Sequence, residues 1–299
     1  MLKRVVLFVL TNIAIMAMVS IVFGVLGQLG VLDLAGRQGT LLIYCAIWGF
    51  GASFVSLLLS RQMAKWSLGV HLIGPETTSP DAQWLHATVA RLAQAANLPM
   101  PQVGIYDSPE VNAFATGPSK KRSLVAVSAG LLRSMDRQEI EGVLAHELTH
   151  VANGDMVTMT LIQGVVNAFV LYLAHLVAAL VRGAVSSRDG EGRGSSGLGF
   201  LASQLVFIAA QIVFGLIGSM ITAWFSRHRE FRADSGSAQL CGRENMIAAL
   251  KRLQSTSQLV DNRNASLASF KIAGGKGLVR LFASHPPLEE RIGALERMM

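Results

Sequence analysis

The stretch Met156–Val181, MVTMTLIQGVVNAFVLYLAHLVAALV, decides the fold class. It contains one histidine and no Asp, Glu, Lys or Arg. A helix needs about 20 apolar residues to cross the hydrocarbon core of a bilayer. Three further stretches are equally free of these charges: Val5–Leu32, Gln38–Ser60 and Gly194–Ser226. The sequence therefore predicts a mostly α, multi-span membrane protein with four transmembrane helices, at about 5–32, 38–60, 156–181 and 198–224.

The composition supports membrane insertion. The 299-residue chain is 51% hydrophobic and only 15% charged, whereas soluble domains are about one quarter charged. This excludes a disordered chain and a purely soluble globule. The net charge of +7 comes largely from residues that flank the spans, so no nucleic-acid partner is expected. The two cysteines lie far apart, with Cys45 inside a span, and predict no disulfide framework.

Lysine and arginine near the span ends predict the orientation. Lys3 and Arg4 precede the first span, Arg61 and Lys65 follow the second, and three arginines between 227 and 232 follow the fourth. Both termini and the 61–155 segment are therefore expected on the cytoplasmic side. A counter-signal lies after the third span, where three arginines are offset by two acidic residues.

The spans divide the chain into four regions. Residues 1–60 hold two spans, 61–155 form a polar region, 156–226 form a transmembrane hairpin, and 227–299 form a second polar region. Neither polar region is large enough for an enzyme, so the two are expected to pack together. Turn signals and periodicity predict a small β-sheet and four helices in them. The expected strands are Gln102–Tyr106 and Leu124–Ser128, and the helices are Asp81–Asn97, Asp136–Asn153, Glu244–Ser255 and Leu288–Met298.

The helix predicted for residues 136–153 carries the sequence His146-Glu147-Leu148-Thr149-His150. Histidines at positions i and i+4 project from one helix face, about one turn apart. That spacing allows both imidazoles to bind one Zn²⁺ ion at about 2.0–2.1 Å. Glu147 lies about 100° round the helix, where it can serve as general base for a zinc-activated water in peptide hydrolysis.

A catalytic zinc site needs a third protein ligand and an open fourth position. The sequence offers three candidates: Glu230 after the fourth span, Asp155 five residues beyond the second histidine, and His285 before two prolines. Glu230 and Asp234 share a helix face, so one could bind the metal while the other holds an imidazole. Spacing alone leaves the choice among the three candidates open.

These motifs resemble the HtpX family of bacterial inner-membrane zinc metallopeptidases. The resemblance rests on the HELTH motif, the Glu230–Asp234 run, Asn112–Ala115 and His285-Pro286, and it covers essentially the whole chain. It implies a gluzincin-like cytoplasmic metalloprotease domain in which His146, His150 and Glu230 bind one zinc ion and Glu147 is catalytic. The family usually has a glutamate where Arg232 stands, a position that binds no metal.

The resemblance also implies a zinc endopeptidase of the bacterial inner membrane, with its active site on the cytoplasmic side. Its expected substrates are misfolded or damaged membrane proteins, which makes quality control and stress response the expected roles. The bilayer is its other expected partner. The sequence indicates no oligomeric state.

Secondary roles follow for residues around the motif. Asn112–Thr116 is expected to be an edge strand that pairs with an extended substrate. Asp155 could accept a hydrogen bond from a ligand imidazole, and His285 could donate to an oxyanion or fill the open metal position. The remaining histidines are interpreted as packing or flanking residues: His71, His86, His175 and His228.

Two alternatives remain. An intramembrane peptidase would carry the same motif inside a span, but Asp136, Arg137, Glu139 and Glu141 precede it, and charges at that depth are costly. A non-enzymatic metal-binding or zinc-transporting membrane protein would need ligands near the bilayer midplane, where His175 stands alone. Zinc-dependent proteolysis that is lost in Glu147→Gln distinguishes an enzyme from a metal binder.

Overall fold

The computed structural model describes residues 31–186, 196–263 and 280–298, together with Ile21, Val25 and Gln28. The first predicted span, at about 5–32, lies almost wholly outside these residues. The helices are α1 (Val31–Leu68), α2 (Pro80–Ala95), α3 (Ala129–Ser134), α4 (Arg137–Asn153), α5 (Asp155–Ser186), α6 (Ser196–Cys241), α7 (Arg243–Arg263) and α8 (Leu288–Glu296). The strands are β1 (His71–Ile73), β2 (Gln102–Tyr106), β3 (Ala113–Thr116) and β4 (Leu124–Ser128).

The chain forms two compact units, which interleave along the sequence. The described part of the first, called the polar unit below, lies within Leu57–Met159 and Ala223–Met299. The described part of the second, the helical unit, lies within Phe8–Ser56 and Thr160–Thr222. The two polar regions that were expected to pack together therefore belong to one unit.

A four-stranded sheet lies in the polar unit, in the order β1-β2-β4-β3. Strands β2 and β4 pair in parallel, with Val103 opposite Val125, and β1 and β3 add antiparallel edges. Strand β4 is buried along its whole length, as its apolar sequence requires at the centre of a sheet. The sequence predicted β2 and β4 with the observed bounds, and β3 is the expected edge strand.

The sheet packs against helices α2 and α4 through a continuous apolar core. Leu85 and Leu92 of α2, Val125 of β4 and Leu144 and Leu148 of α4 are fully buried there. A smaller cluster joins Met246 and Leu250 of α7 to Ile292 and Leu295 of α8. These two cores hold α4 and α8, the helices that carry much of the site.

Helix α4 has well-defined ends. Asp136 accepts a hydrogen bond from the backbone N–H of Glu139 at 2.9 Å, and Glu139 accepts one from the N–H of Asp136 at 2.9 Å. This capping box confirms the predicted start. The helix stops at Gly154, whose φ of 70° is in the left-handed region that glycine adopts without steric cost.

Within the described ranges, three helices are long and apolar enough to cross a membrane: Gln38–Leu68, Asp155–Ala184 and Phe200–Cys241. They correspond to the second, third and fourth predicted spans. Helix α6 does not stop at the charged residues after Ser226 but runs on for 15 residues, to Cys241. In the helical unit, His175 packs against the rings of Tyr44 and Phe207, which agrees with its interpretation as a packing residue.

Candidate metal centre

Three side chains from two helices meet in the polar unit. His146 and His150 lie one turn apart on α4, and Glu230 comes from α6, near the end of the last span. Their nearest donor atoms all lie within 4.8 Å of one another, so among the described residues these three form a group that could hold a metal ion. His146 and Glu230 are buried, with 7% and 1% of their surface exposed. Because these side chains are buried, they interact with one another and not with water.

The spacing of the donor atoms fits a zinc ion. The Nε2 atoms of the two histidines are 3.1 Å apart, and they lie 3.5 Å and 3.3 Å from the carboxylate oxygens of Glu230. Zinc bonds of 2.0–2.1 Å in a tetrahedron place donors roughly 3.3 Å apart. Two nitrogens and one oxygen are also a donor set that zinc accepts. The residues present therefore fit the metal.

Two further carboxylates orient the imidazoles. Asp155 lies 2.6 Å from Nδ1 of His150, and Asp234 lies 3.0 Å from Nδ1 of His146. A proton on each Nδ1 satisfies these contacts and leaves the Nε2 lone pairs directed at the shared space next to Glu230. Asp155 was expected either to bind the metal or to accept a hydrogen bond from an imidazole. It contacts Nδ1 of His150 and is not part of the three-donor group.

Arg291 of α8 connects the two acidic residues of α6. Its guanidinium donates to both oxygens of Asp234, at 2.8 Å and 2.6 Å, and lies 3.3 Å from Glu230. The side chain is buried, so the cation compensates the negative charges in a water-poor environment. Arg291 was not predicted from the sequence, although an arginine at the interior-facing position of an amphipathic helix was a usable signal.

His285 is close to the group but is oriented outward. Its Nδ1 lies 2.7 Å from Glu230, and 65% of its side chain is exposed. It is thus a neighbour of the expected third ligand rather than a member of the three-donor group. Its exposed imidazole is available to a molecule that enters the site.

The charges of the cluster are strongly coupled. Burial raises the pKa of Glu230, but hydrogen bonds from His146, His150 and His285 hold it well below the usual range. Burial lowers the pKa of His150, but hydrogen bonds to Asp155 and Glu230 raise it to about 9. The pKa of His146 is also raised, because hydrogen bonds to Asp234 and Glu230 outweigh burial. Without a metal, the acidic groups therefore hold protons on these imidazoles.

Glu147 contacts the sheet. The backbone N–H of Ala115 in β3 donates to its Oε2 at 2.8 Å. In an antiparallel pair, alternate residues direct their backbone groups to opposite sides, and the N–H of Ser128 bonds the carbonyl of Asn112 at 2.9 Å. Ala113 and Ala115 therefore direct their backbone groups away from β4, toward the site. Glu147 therefore lies against the outer edge of β3.

The structure also bears on the other candidates. Helix α4 is not among the candidate spans of the described chain, which argues against the intramembrane alternative. His228 contacts the carbonyl oxygen and the ring of Trp224, so it flanks the span. His71 and His86 lie outside the three-donor group.

Comparisons of the sequence identify relatives over nearly the whole chain. The model of peptidase family M48 matches residues 79–299. Protease HtpX of Shewanella oneidensis is 50% identical over 294 residues, which cover 98% of this chain and 99% of that protein. Protease HtpX of Tolumonas auensis is 50% identical over 298 residues, which cover 99% of both chains.

A comparison of the fold gives a more distant similarity. The crystal structure of S. mikatae Ste24p superposes with a TM-score of 0.63 and 19% sequence identity. The match covers 98% of this chain and 67% of that one. At this identity the similarity concerns the fold alone.

Proposed function

This chain belongs to peptidase family M48 and, within it, to the HtpX proteases, and from that premise we propose that His146, His150 and Glu230 bind one zinc ion, with Glu147 as general base. Family membership makes the chain a membrane metalloprotease, a hydrolase of peptide bonds. The proposal concerns which residues perform the reaction and on which substrates.

One observation carries the assignment of the metal ligands. The three donor atoms are 3.1–3.5 Å apart, and the other nitrogen of each imidazole contacts a carboxylate. Nδ1 protons directed at these carboxylates leave both Nε2 lone pairs facing Glu230, a buried arrangement that needs a cation, and without a metal only added protons provide it. Asp155, Asp234 and Arg291 keep the ligands in place for the metal.

The residues around the metal position have different roles in hydrolysis. A zinc ion held there supplies a Lewis acid that polarises the scissile carbonyl and acidifies a water molecule. Glu147 accepts a proton from the attacking water and delivers it to the leaving amine. Its hydrogen bond to Ala115 holds the carboxylate between α4 and β3. His285, with its exposed imidazole, donates a hydrogen bond to the carbonyl oxygen of the substrate.

The substrate lies along β3. Strand addition to an exposed sheet edge requires an extended peptide, and the backbone N–H and carbonyl of Ala113 and the carbonyl of Ala115 point outward for it, while the N–H of Ala115 is bound to Glu147. A folded segment could not present its backbone in this way. We therefore assign misfolded or damaged membrane proteins as substrates, and quality control of the bacterial inner membrane as the role. The basic residues that flank the spans favour a cytoplasmic active site.

The test measures metal content and proteolysis on the same samples. Full-length protein in lipid nanodiscs is expected to contain one zinc ion and to cleave unfolded casein. Glu147→Gln should keep the zinc and lose activity about 10²–10⁴-fold, because only the proton acceptor is removed. Glu230→Gln should lose most of the zinc.

Glu141→Gln is the matched control. Glu141 lies on α4 as well, but it pairs with Arg91 at the surface, at 2.8 Å, so its substitution should change neither zinc content nor rate. Full proteolysis by Glu147→Gln would contradict the assigned base. Full zinc occupancy in Glu230→Gln would contradict the assigned ligand.

A further inference from the structure

Two large apolar side chains are exposed beside the metal site. Leu281 and Phe282 are 38% and 44% exposed, and they precede His285 by only a few residues. Neither belongs to the apolar clusters of the polar unit. Single exposed apolar residues are common on proteins, but adjacent ones next to a functional site indicate a contact with something apolar.

Residues 280–282 are the last turn of a helix, and Arg227 of α6 fixes the backbone of this turn. Its Nη1 donates to the carbonyl oxygens of Arg280, Leu281 and Ala283, at 3.2 Å, 3.3 Å and 2.8 Å. One guanidinium nitrogen thus binds three of the four carbonyls of residues 280–283. Leu281 and Phe282 are therefore held next to Arg227 of α6.

Arg227 lies where the lipid-facing surface of α6 ends. Large apolar side chains are exposed along α6 from Phe200 to Phe225, the part of the candidate span that contains no charged residue. The run ends with Trp224 and Phe225, which are 49% and 39% exposed. Aromatic residues of this kind are typical of the membrane–water interface. Arg227 follows two residues later, about 3 Å further along the helix axis.

The charges at this level suit a bilayer surface. Arg227 and Arg232 follow the span within two turns, whereas Arg229 faces Asp155. Arg280 adjoins the apolar pair and contacts Glu290. Arginines at the end of a span attract the negatively charged headgroups of the cytoplasmic leaflet. An apolar pair that is held among arginines, next to interfacial aromatics, matches the chemistry of the headgroup region.

We propose that residues 280–283 form a lipid-contacting turn, in which Leu281 and Phe282 insert into the bilayer interface together with the exposed aromatic residues Trp224 and Phe225 of α6. The partner is the lipid surface. Because His285 follows this turn and contacts Glu230, lipid contact also holds the imidazole at the edge of the metal site. The inference depends on the membrane insertion of the chain and not on the proposed reaction.

The experiment places a fluorophore at position 282. Phe282→Cys in a Cys241→Ser background is labelled with an environment-sensitive dye, and Cys45 stays unlabelled because it is fully buried. The full-length, zinc-loaded protein is placed in nanodiscs of phosphatidylcholine and phosphatidylglycerol, one copy per disc. Quenching by lipid with a nitroxide near the headgroup is then compared among sites. Labels at Trp224→Cys and Glu289→Cys serve as the lipid-facing and water-facing references.

The label at 282 is expected to be quenched at least half as strongly as the label at 224, and at least three times as strongly as the label at 289. The same quenching measurement on a label at Leu281→Cys tests the proposal with a second variant, in case Phe282→Cys does not fold. Quenching at both sites as weak as at 289, in samples with full zinc content, would overturn the proposal. Protection from both the lipid quencher and aqueous iodide would also overturn it, because it would show that protein covers the turn.

Discussion

His150 shows how single contacts set the chemistry of the site. Its Nδ1 faces Asp155 at 2.6 Å, and its Nε2 faces Glu230 at 3.3 Å. A protonated imidazole satisfies both carboxylates, whereas a metal-bound imidazole keeps only the proton on Nδ1. Metal and proton therefore compete for Nε2, and metal binding should release protons.

This competition predicts how the stability of the metal-free protein depends on pH. Hydrogen bonds to Asp155 and Glu230 outweigh burial and raise the pKa of His150 from 6.5 to about 9. A raised pKa stabilises the fold fully below pH 6.5, and the stabilisation is lost as the pH rises through 9. The thermal midpoint of chelated protein should therefore fall from pH 6.5 to 9.5, on the order of 5 °C.

Differential scanning fluorimetry across this pH range, with and without zinc, checks the prediction. Zinc-loaded protein should show no such decline, because the metal keeps the imidazoles neutral. Asp155→Asn should reduce the decline in the metal-free protein, because one partner of the proton is lost. A metal-free midpoint that stays constant or rises between pH 6.5 and 9 would contradict the raised pKa.

At the residue level, the sequence predicted the groups whose spacing is local. Two histidines one helical turn apart point the same way in any helix, so His146 and His150 could be paired without a structure. Glu230 lies 80 residues further along the chain, and only the family resemblance selected it from three candidates. Arg291 and Arg227 were not predicted, because their roles depend on contacts between helices that are distant in sequence.

Helix α4 depends on a close approach to α7 for its position. At Gly142, an added Cβ would lie 2.6 Å from the backbone oxygen of Asn245. Alanine normally stabilises a helix interior by about 0.5–1 kcal/mol relative to glycine. Here the overlap should reverse the sign, so Gly142→Ala is expected to destabilise the protein by about 1–3 kcal/mol.

Thermal unfolding of the zinc-loaded protein measures this effect. Gly74→Ala is the matched control, because an added Cβ there meets no atom within 4 Å. The control should leave the midpoint nearly unchanged. An equal midpoint for both variants would show that the contact between α4 and α7 is adaptable and does not fix the position of the site.

Strand β3 tests the proposed binding of an extended substrate. The N–H of Ala113 points away from β4, so proline at this position removes a donor from the outer edge and leaves the pairing with β4 intact. Ala113→Pro should raise the KM for an unfolded substrate about tenfold, with zinc content unchanged. Phe114→Pro, on the inner side, should instead reduce stability. An unchanged KM in Ala113→Pro would exclude strand addition at this edge.

The elements that were predicted well are those with a strong local signal. The alternation and turn residues at β2 and β4 and the capping box of α4 needed no tertiary information. The three-residue strand β1 and the short helix α3 were missed, because so few residues carry little periodicity. The continuation of α6 to Cys241 was also not predicted, since charged residues end a membrane span but do not end a helix.

At the scale of the whole molecule, long uncharged stretches predicted the membrane helices because lipid imposes one simple rule. A chain that crosses a bilayer must satisfy its backbone hydrogen bonds internally and expose apolar side chains. The described helices do both, with Leu205 and Ile212 of α6 more than 60% exposed. The composition of the polar unit gave less information, because its core is built from contacts between residues 57–159 and 223–299.

The orientation of the chain in the membrane can be tested directly. Lys3, Arg4, Arg61 and Lys65 predict that both ends of the first helical pair lie on the cytoplasmic side, so the loop near Gly190 should lie outside. A protease-cleavable tag inserted near Gly190 should therefore be cut in intact spheroplasts. The same tag near Glu76, in the polar unit, should be cut only after permeabilisation. Cleavage at Glu76 but not at Gly190 in intact spheroplasts would invert the topology, and it would place the metal site on the opposite side of the membrane from the one that the basic residues indicate.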